Sequence, residues 1–174
     1  MSFEGPNTMT KQVTFQPTPD NARAFRNALS SFATGVTVVT CQTEEGPMGF
    51  TANSFASVSL DPPLVLWCPA KSSARFKPFT ECRSYAIHIL GQQDKSLGNQ
   101  FAKEPHFTPD IAWSEAADGT PLLQAGLARF HCTPHAIHDA GDHVIAVGLV
   151  TEVAVAEGDP LLFASGSYGS FTQS

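Results

Sequence analysis

Charge is scarce in this sequence, and what there is runs acidic. Lys and Arg number 10 against 16 Asp and Glu, a formal net charge of −6. That balance offers no basic stripe to a phosphate backbone or an anionic bilayer, which argues against nucleic acid and membrane surfaces as partners. No apolar run reaches the roughly 20 residues a helix needs to cross a bilayer. Residues 1–16 have neither a basic start nor an apolar stretch of the export type, so a cytoplasmic location is expected. Cysteine is sparse as well. Cys41, Cys68, Cys82 and Cys132 form no C-x-x-C pair and sit mostly in apolar segments, so they read as reduced, buried thiols and not as a disulfide framework.

The sequence also lacks the common nucleotide and hydrolase signatures. There is no G-x-G-x-x-G, no G-x-x-x-x-G-K-[ST], no G-x-S-x-G and no H-E-x-x-H, which removes doubly wound dehydrogenases, P-loop enzymes, serine hydrolases and zinc proteases of those types. No internal repeat or low-complexity segment is visible.

What is present is a folded composition, 42% hydrophobic and 15% charged over 174 residues, enough for one domain with a single sizeable core. Residues 1–17, without periodicity, read as a flexible arm, and 18–174 as the domain. Thr18 and Pro19 predict a helix start, with Ala22, Phe25, Leu29 and Phe32 as a buried stripe and Gly35 closing the helix. Residues 36–43 are β-branched and predict a buried strand, with 48–52 as its hairpin partner and 64–68 as a further strand. Short helices are predicted over 73–79 and 94–102. Strands are predicted over 84–90, 127–137, 143–156 and 161–164. Six to eight strands with a few short helices predict a small mainly β barrel, closed or half-closed.

Three stretches carry candidate chemistry. The first is Gly49, Phe50, Thr51, Ala52, Asn53, Ser54, continuing through Ser57 and Val58. Small and hydroxyl side chains leave backbone amides open to a flat heterocycle that alternates donors and acceptors. The same composition also suits an ordinary polar strand-to-loop transition. The second stretch, Cys68, Pro69, Ala70, Lys71, Ser72 and Ser73, puts a cation and two hydroxyls where a helix should begin, an arrangement that attracts a phosphate. It equally describes a plain serine cap beside a solvated lysine. The third, Gly141, Asp142, His143, is a hairpin turn whose histidine could hydrogen-bond a nicotinamide amide or a flavin, or simply be a polar strand start. A metal reading of His131, Cys132, His135, His138 and His143 is weighed and set aside. In a regular strand His131 and His135 share one face while Cys132 and His138 share the other, so no metal site is expected.

Taken in this order, the segments resemble the short-chain flavin reductase family, whose fold is the FMN-binding split barrel, a Greek-key type barrel with short flanking helices. Residues 32–40 match, and residues 49–63 resemble the family's "G-x-T-x-N-S-F-x-S-V-S-L-x-P-P" signature. Gly141, Asp142, His143 and Gly148 resemble "G-D-H-x-x-x-x-G", and the similarity runs from about residue 20 to 170.

The resemblance implies an NAD(P)H-dependent reductase of FMN or FAD that supplies reduced flavin to a separate oxygenase. It implies a homodimer with the flavin in a groove near the subunit boundary, its ring edge on Thr51 to Ser54. Ser57 and the Lys71 to Ser73 segment would lie toward the phosphate, with Cys68 and Ala70 beside them. Phe101 would wall the pocket, His143 would seat the nicotinamide, and Tyr168 matches the family's tyrosine. The chain departs from the commoner pattern at Gln100, Phe163 and Ser167, which leaves the choice between FMN and FAD open. Two other functions fit such a barrel: a flavin-binding module without nicotinamide turnover, and a reductase of another acceptor such as a corrinoid.

Overall fold

The computed structural model describes residues 12–172. In chain order it contains α1 (Ala22–Leu29), β1 (Thr34–Gly35), β2 (Thr37–Thr43), β3 (Gly46–Ala52), β4 (Ala56–Leu60) and β5 (Pro63–Trp67). Next come α2 (Phe76–Glu81), β6 (Tyr85–Ile89), α3 (Lys95–Lys103), β7 (Trp113–Glu115) and β8 (Pro121–Leu123). The last are β9 (Ala128–Ala140), β10 (His143–Val155), β11 (Leu161–Ala164) and β12 (Ser167–Ser170).

Seven strands form one antiparallel sheet in the order β3-β2-β6-β9-β10-β5-β4, flanked by a β1-β11-β12 sheet and a β7-β8 pair. The two edges of the large sheet, β3 and β4, are consecutive in sequence, with Ala52 ending one and Ala56 beginning the other. That link spans at most about 14 Å. Six strand spacings across a flat sheet would part the edges by about 28 Å. The sheet must therefore roll until its edges approach, giving a barrel open along one seam that residues 53–55 cross. This is the split barrel expected from the sequence.

β2 reads as an unbroken β-branched run because both its faces are covered. Val39 and Cys41 join Met48, Trp67, Phe79, Tyr85 and Ile87 in one core. Val38, one residue out of phase, joins Val36, Leu90, Phe101 and Leu123 in the other. The buried Thr40 hydroxyl is satisfied by donating to the Pro121 carbonyl at 2.5 Å.

Several expectations are corrected. Gly35 does not close the first helix, which ends at Leu29, and lies instead in β1. The helical stripe is amphipathic but not buried: no residue of α1 is buried, and Phe25, Leu29 and Phe32 are 42%, 59% and 77% exposed. Residues 56–60, read as the tail of a polar link, form the edge strand β4. The short strands β1, β7, β8 and β12 were not predicted, since two to four residues carry too little alternation to read. Residues 1–11 of the expected arm lie outside the described residues, while 12–17 are exposed and free of regular structure. No helix among the described residues is long and apolar enough to cross a membrane.

Candidate active site at the barrel seam

The seam link is fixed at two points. Phe55 stacks on Phe130 of β9, with ring centroids 5.6 Å apart, and Ser54 Oγ accepts the Cys68 N–H at 2.9 Å. Asn53, beside them, remains exposed. The first candidate stretch is thus bonded directly to the second.

The second stretch is bonded in turn to the third. Ala70 and His143 form an antiparallel bridge, Lys71 N–H donates to the Asp142 carbonyl at 2.9 Å, and Val144 N–H donates to the Pro69 carbonyl at 3.2 Å. Gly141 turns the β9-β10 hairpin with φ +74°, a conformation that glycine adopts without strain. At this turn His143 Nδ1 lies 2.8 Å from Asp142 Oδ1. The carboxylate can only accept, so Nδ1 carries the proton and Nε2 is left as the free imidazole nitrogen. The bond holds the Asp142 carboxyl below the usual carboxylate range.

Lys71 is placed differently from the sequence expectation. Its Nζ donates to Asp139 Oδ2 and to the Gly141 carbonyl, both at 2.6 Å, so the ammonium pins the hairpin turn to the loop after β5. The helix start expected around Ser72 and Ser73 is also displaced, because α2 begins at Phe76. Residues 71–75 form a turn in which Ser73 accepts the Phe76 N–H on its carbonyl and the Arg75 N–H on Oγ. The helix-terminus argument for an anion site therefore fails, while Ser72 stays exposed.

Other expected residues support the seam from beneath. Thr51 Oγ1 donates to the Gly98 carbonyl at 2.7 Å, which commits that hydroxyl to α3. Phe50 packs edge-on against Trp67 and Phe79, and Arg75 covers its ring at 5.3 Å. Phe101 is fully buried, and a Cβ at Gly49 would strike its ring, so it sits under β3 and does not wall an open pocket. Ser57 is exposed, and Val58 is the extra residue of a β4 bulge. Tyr168 packs on Phe163, with Lys95 over its ring at 5.6 Å, and lies on the α3 side of the seam near Gly98.

Sequence reasoning assigned no role to Arg75, Gly98 or Asp139. Arg75 donates to the carbonyls of Phe101 and Ala102, tying the loop after β5 to the end of α3. Only Asp139, beside the Gly141 turn, carried a readable signal. The His131 and His135 alternation does not hold either, because a bulge at His135, between Pro134 and Ala136, breaks it. Among the described residues no cluster of His, Cys, Asp or Glu is arranged to hold a metal.

The residues at the seam suit a flavin ring edge and a nicotinamide amide. They offer exposed Asn53, Ser57 and Ser72, a free imidazole nitrogen, and small neighbours at Ala52 and Ala70. A cavity of about 640 Å³ lies instead at the closed end of the β2-β3 hairpin and is lined by none of them.

The chain belongs to the flavin reductase-like family, whose domain model matches residues 29–172. It is 50% identical over 165 residues, 95% of each chain, to the FMN reductase (NADH) SmoA of Agrobacterium fabrum. It is 37% identical to HsaB of Mycobacterium tuberculosis, the reductase subunit of a flavin-dependent monooxygenase, over 84% of this chain and 80% of that one. Among solved structures it superposes, at 31% identity and TM-score 0.81, on the NADH:FAD oxidoreductase of Streptomyces globisporus C-1027 in complex with NAD and FAD fragments. That match covers 91% of this chain and 98% of the other.

Proposed function

We propose that this chain oxidises NADH or NADPH, reduces FMN or FAD, and passes the reduced flavin to a separate oxygenase. The observation that carries the reading is the continuous bonding of Ser54 to Cys68 and of Ala70 to His143. It joins, on one surface, the stretches that the family resemblance assigns to flavin and to nicotinamide. The names of the Agrobacterium and Streptomyces relatives specify NADH and support it as the donor, while one acts on FMN and the other on FAD.

When bound, the two nucleotides supply the chemistry, a hydride passing from nicotinamide C4 to flavin N5. The protein binds and aligns. Residues 53–55 offer amides and the Asn53 side chain to a ring edge, and Ser57 and Ser72 offer hydroxyls toward a phosphate. His143, its tautomer set by Asp142, presents Nε2 as an acceptor for a carboxamide N–H. The anchoring of this surface on Phe55, Arg75 and Lys71 keeps it pre-shaped, which is what close approach of two reacting rings demands.

A second copy of the chain completes the site in this reading. The exposed face of α1 needs a cover, and the seam groups line neither cavity described. The protein acts in the cytoplasm, where reduced nicotinamide is made. The test is anaerobic: mix the purified chain with FMN or FAD, add NADH or NADPH, and follow the yellow absorbance. Catalytic bleaching supports the proposal. Flavin binding without bleaching leaves a storage or sensing module, and steady NADH oxidation under anaerobic conditions only when a corrinoid is added leaves a reductase of another acceptor.

A further inference from the structure

Two of the four cysteines lie far from the seam and close to each other. Cys82 caps the C-terminal end of α2, is half-buried, and lines the 640 Å³ cavity together with Lys77, Arg83 and Ser84. Cys41, on β2, is completely buried. Both sulfurs converge on neighbouring carbonyls of α2: Cys41 Sγ lies 3.9 Å from the Pro78 oxygen, and Cys82 Sγ lies 3.4 Å from the Phe79 oxygen. Both side chains pack into the same core. One thiol of the pair is therefore open to a small solute and the other is sealed directly behind it.

We propose that Cys82 and Cys41 form a peroxide-oxidised thiol pair, with Cys82 the residue attacked from the cavity and Cys41 the residue that resolves it into a disulfide. The oxidant is hydrogen peroxide, which forms when dihydroflavin gives two electrons to dioxygen. The Cys82 sulfur attacks one peroxide oxygen and the O–O bond breaks. Sulfenic acid forms and one water leaves. The Cys41 sulfur then attacks the Cys82 sulfur, its proton leaves with the departing hydroxide as a second water, and the S–S bond closes. Two thiols lose two electrons and one peroxide gains them, so the sequence balances.

The surroundings favour this order. The neighbouring Cys41 thiol holds the Cys82 thiol below its ordinary value, while Cys82 and burial push Cys41 itself up. The cavity wall itself is acidic on balance, with Glu44, Glu45, Glu81 and Asp118 against Lys77 and Arg83, and Lys77 lies 3.9 Å from Glu81, so the pairing with Cys41 and not the wall singles out Cys82. Burial instead pushes Cys68 up and Cys132 up to about 12, so these two remain thiols. The chain between the pair contains the seam link and the loop after β5. The cross-link would therefore tie β2 to α2 across both candidate site segments.

The identity of the chain as a flavin reductase enters only as the source of peroxide, so the two ideas fail separately. Purified full-length protein is treated with hydrogen peroxide, its free thiols are alkylated, and the peptides are mapped. The Cys41 and Cys82 peptides should be recovered joined, with Cys68 and Cys132 alkylated, and Cys82 should be consumed about tenfold faster than Cys68. Recovery of Cys82 as free thiol or sulfinic acid without the joined pair overturns the proposal, and so does a bridge through another cysteine. Cys41→Ala should stop at a sulfenic acid on Cys82 that dimedone captures. If that variant does not fold, the wild-type map decides alone. Turnover of NADH and flavin in air should give the same bridge, and catalase should suppress it. A bridge formed by added peroxide in a protein that turns over no NADH keeps this inference and removes the proposed function.

Discussion

Ser54 Oγ accepts the Cys68 N–H at 2.9 Å, and this one bond stitches the link between the two barrel edges to the loop that carries Lys71 and Ser72. A half-buried N–H left without its acceptor costs about 1–3 kcal/mol. Ser54→Ala is therefore expected to lower stability by about 1–2 kcal/mol in urea melts. It should also raise the KM for flavin more than that for NADH, since the seam link is displaced from the loop facing it. Equal kinetics in wild type and variant would remove the seam from the flavin site.

Lys71 tests how the phosphate is held. Its ammonium keeps the Asp139 carboxyl below the usual carboxylate range, and the same ammonium caps the Gly141 carbonyl. If Lys71 also meets the flavin phosphate, as the family resemblance implies, the phosphate competes with Asp139 for that charge. Asp139→Asn should weaken the competitor and lower the KM for FMN about threefold at low ionic strength, less in high salt, where exposed charges are screened. Lys71→Ala should raise the KM for both flavin and NADH, because it also unpins the turn bearing His143. An Asp139→Asn variant with unchanged flavin KM at every ionic strength would confine Lys71 to the hairpin turn.

His143 and Asp142 separate nicotinamide from flavin. With Nδ1 committed to Asp142, Nε2 is the nitrogen available to a carboxamide. His143→Ala is expected to raise the KM for NADH about tenfold, roughly one lost hydrogen bond. The flavin dissociation constant, read by fluorescence quenching, should move less than about twofold. Asp142→Asn can accept the same bond through its amide oxygen and should cost less. Unchanged NADH kinetics in the alanine variant would refute the role.

The sequence disclosed most where local pattern and tertiary role coincide. β2 was legible because a β-branched run is needed where both faces are buried, and the β9-β10 turn because Gly141 must take φ +74°. Gly148, the last glycine of the third signature, has a steric reason that no sequence shows: a side chain there would run into Tyr85. The pairing of Lys71 with Asp139 was not legible because the two lie 68 residues apart in sequence. The start of α2 was misplaced by three residues because Ser73 caps a turn and not the helix. The α1 stripe was real, but among the described residues nothing buries it.

Acid stability should report on His88, a buried residue outside the site. Its Nε2 accepts the Leu123 N–H at 3.0 Å and its Nδ1 donates to the Val38 carbonyl at 3.1 Å. Burial, above all, pushes it down to about 4 from an ordinary 6.5. The unfolded chain therefore takes up this proton first as the pH falls. The stabilisation is full above pH 6.5 and is lost as pH drops toward 4, on the order of 3 kcal/mol in all. Asp118 acts in a lower window: desolvation raises it, yet hydrogen bonds from Thr120 and Ser84 bring it from 3.8 to about 2. Urea midpoints that stay level between about pH 6.5 and pH 4 would contradict the buried neutral imidazole.

The exposed face of α1 makes the oligomer testable. Phe25 and Leu29 are four residues apart and Phe32 follows three later, so the three side chains fall on one side of the helix and its extension. Each would gain about 1.5–3 kcal/mol from full burial, and none of them is buried among the described residues. In the proposed arrangement a second copy supplies both that burial and the far wall of the seam. Light scattering should therefore give wild-type protein at twice the 18.6 kDa chain mass. The double variant Phe25→Glu with Leu29→Glu should run as a folded monomer with native circular dichroism, because no core contact is touched. If the seam needs its partner, the monomer should also lose flavin affinity by about tenfold or more. A wild-type monomer would leave the stripe without its cover, and a monomeric variant of full activity would show that one chain makes the whole site.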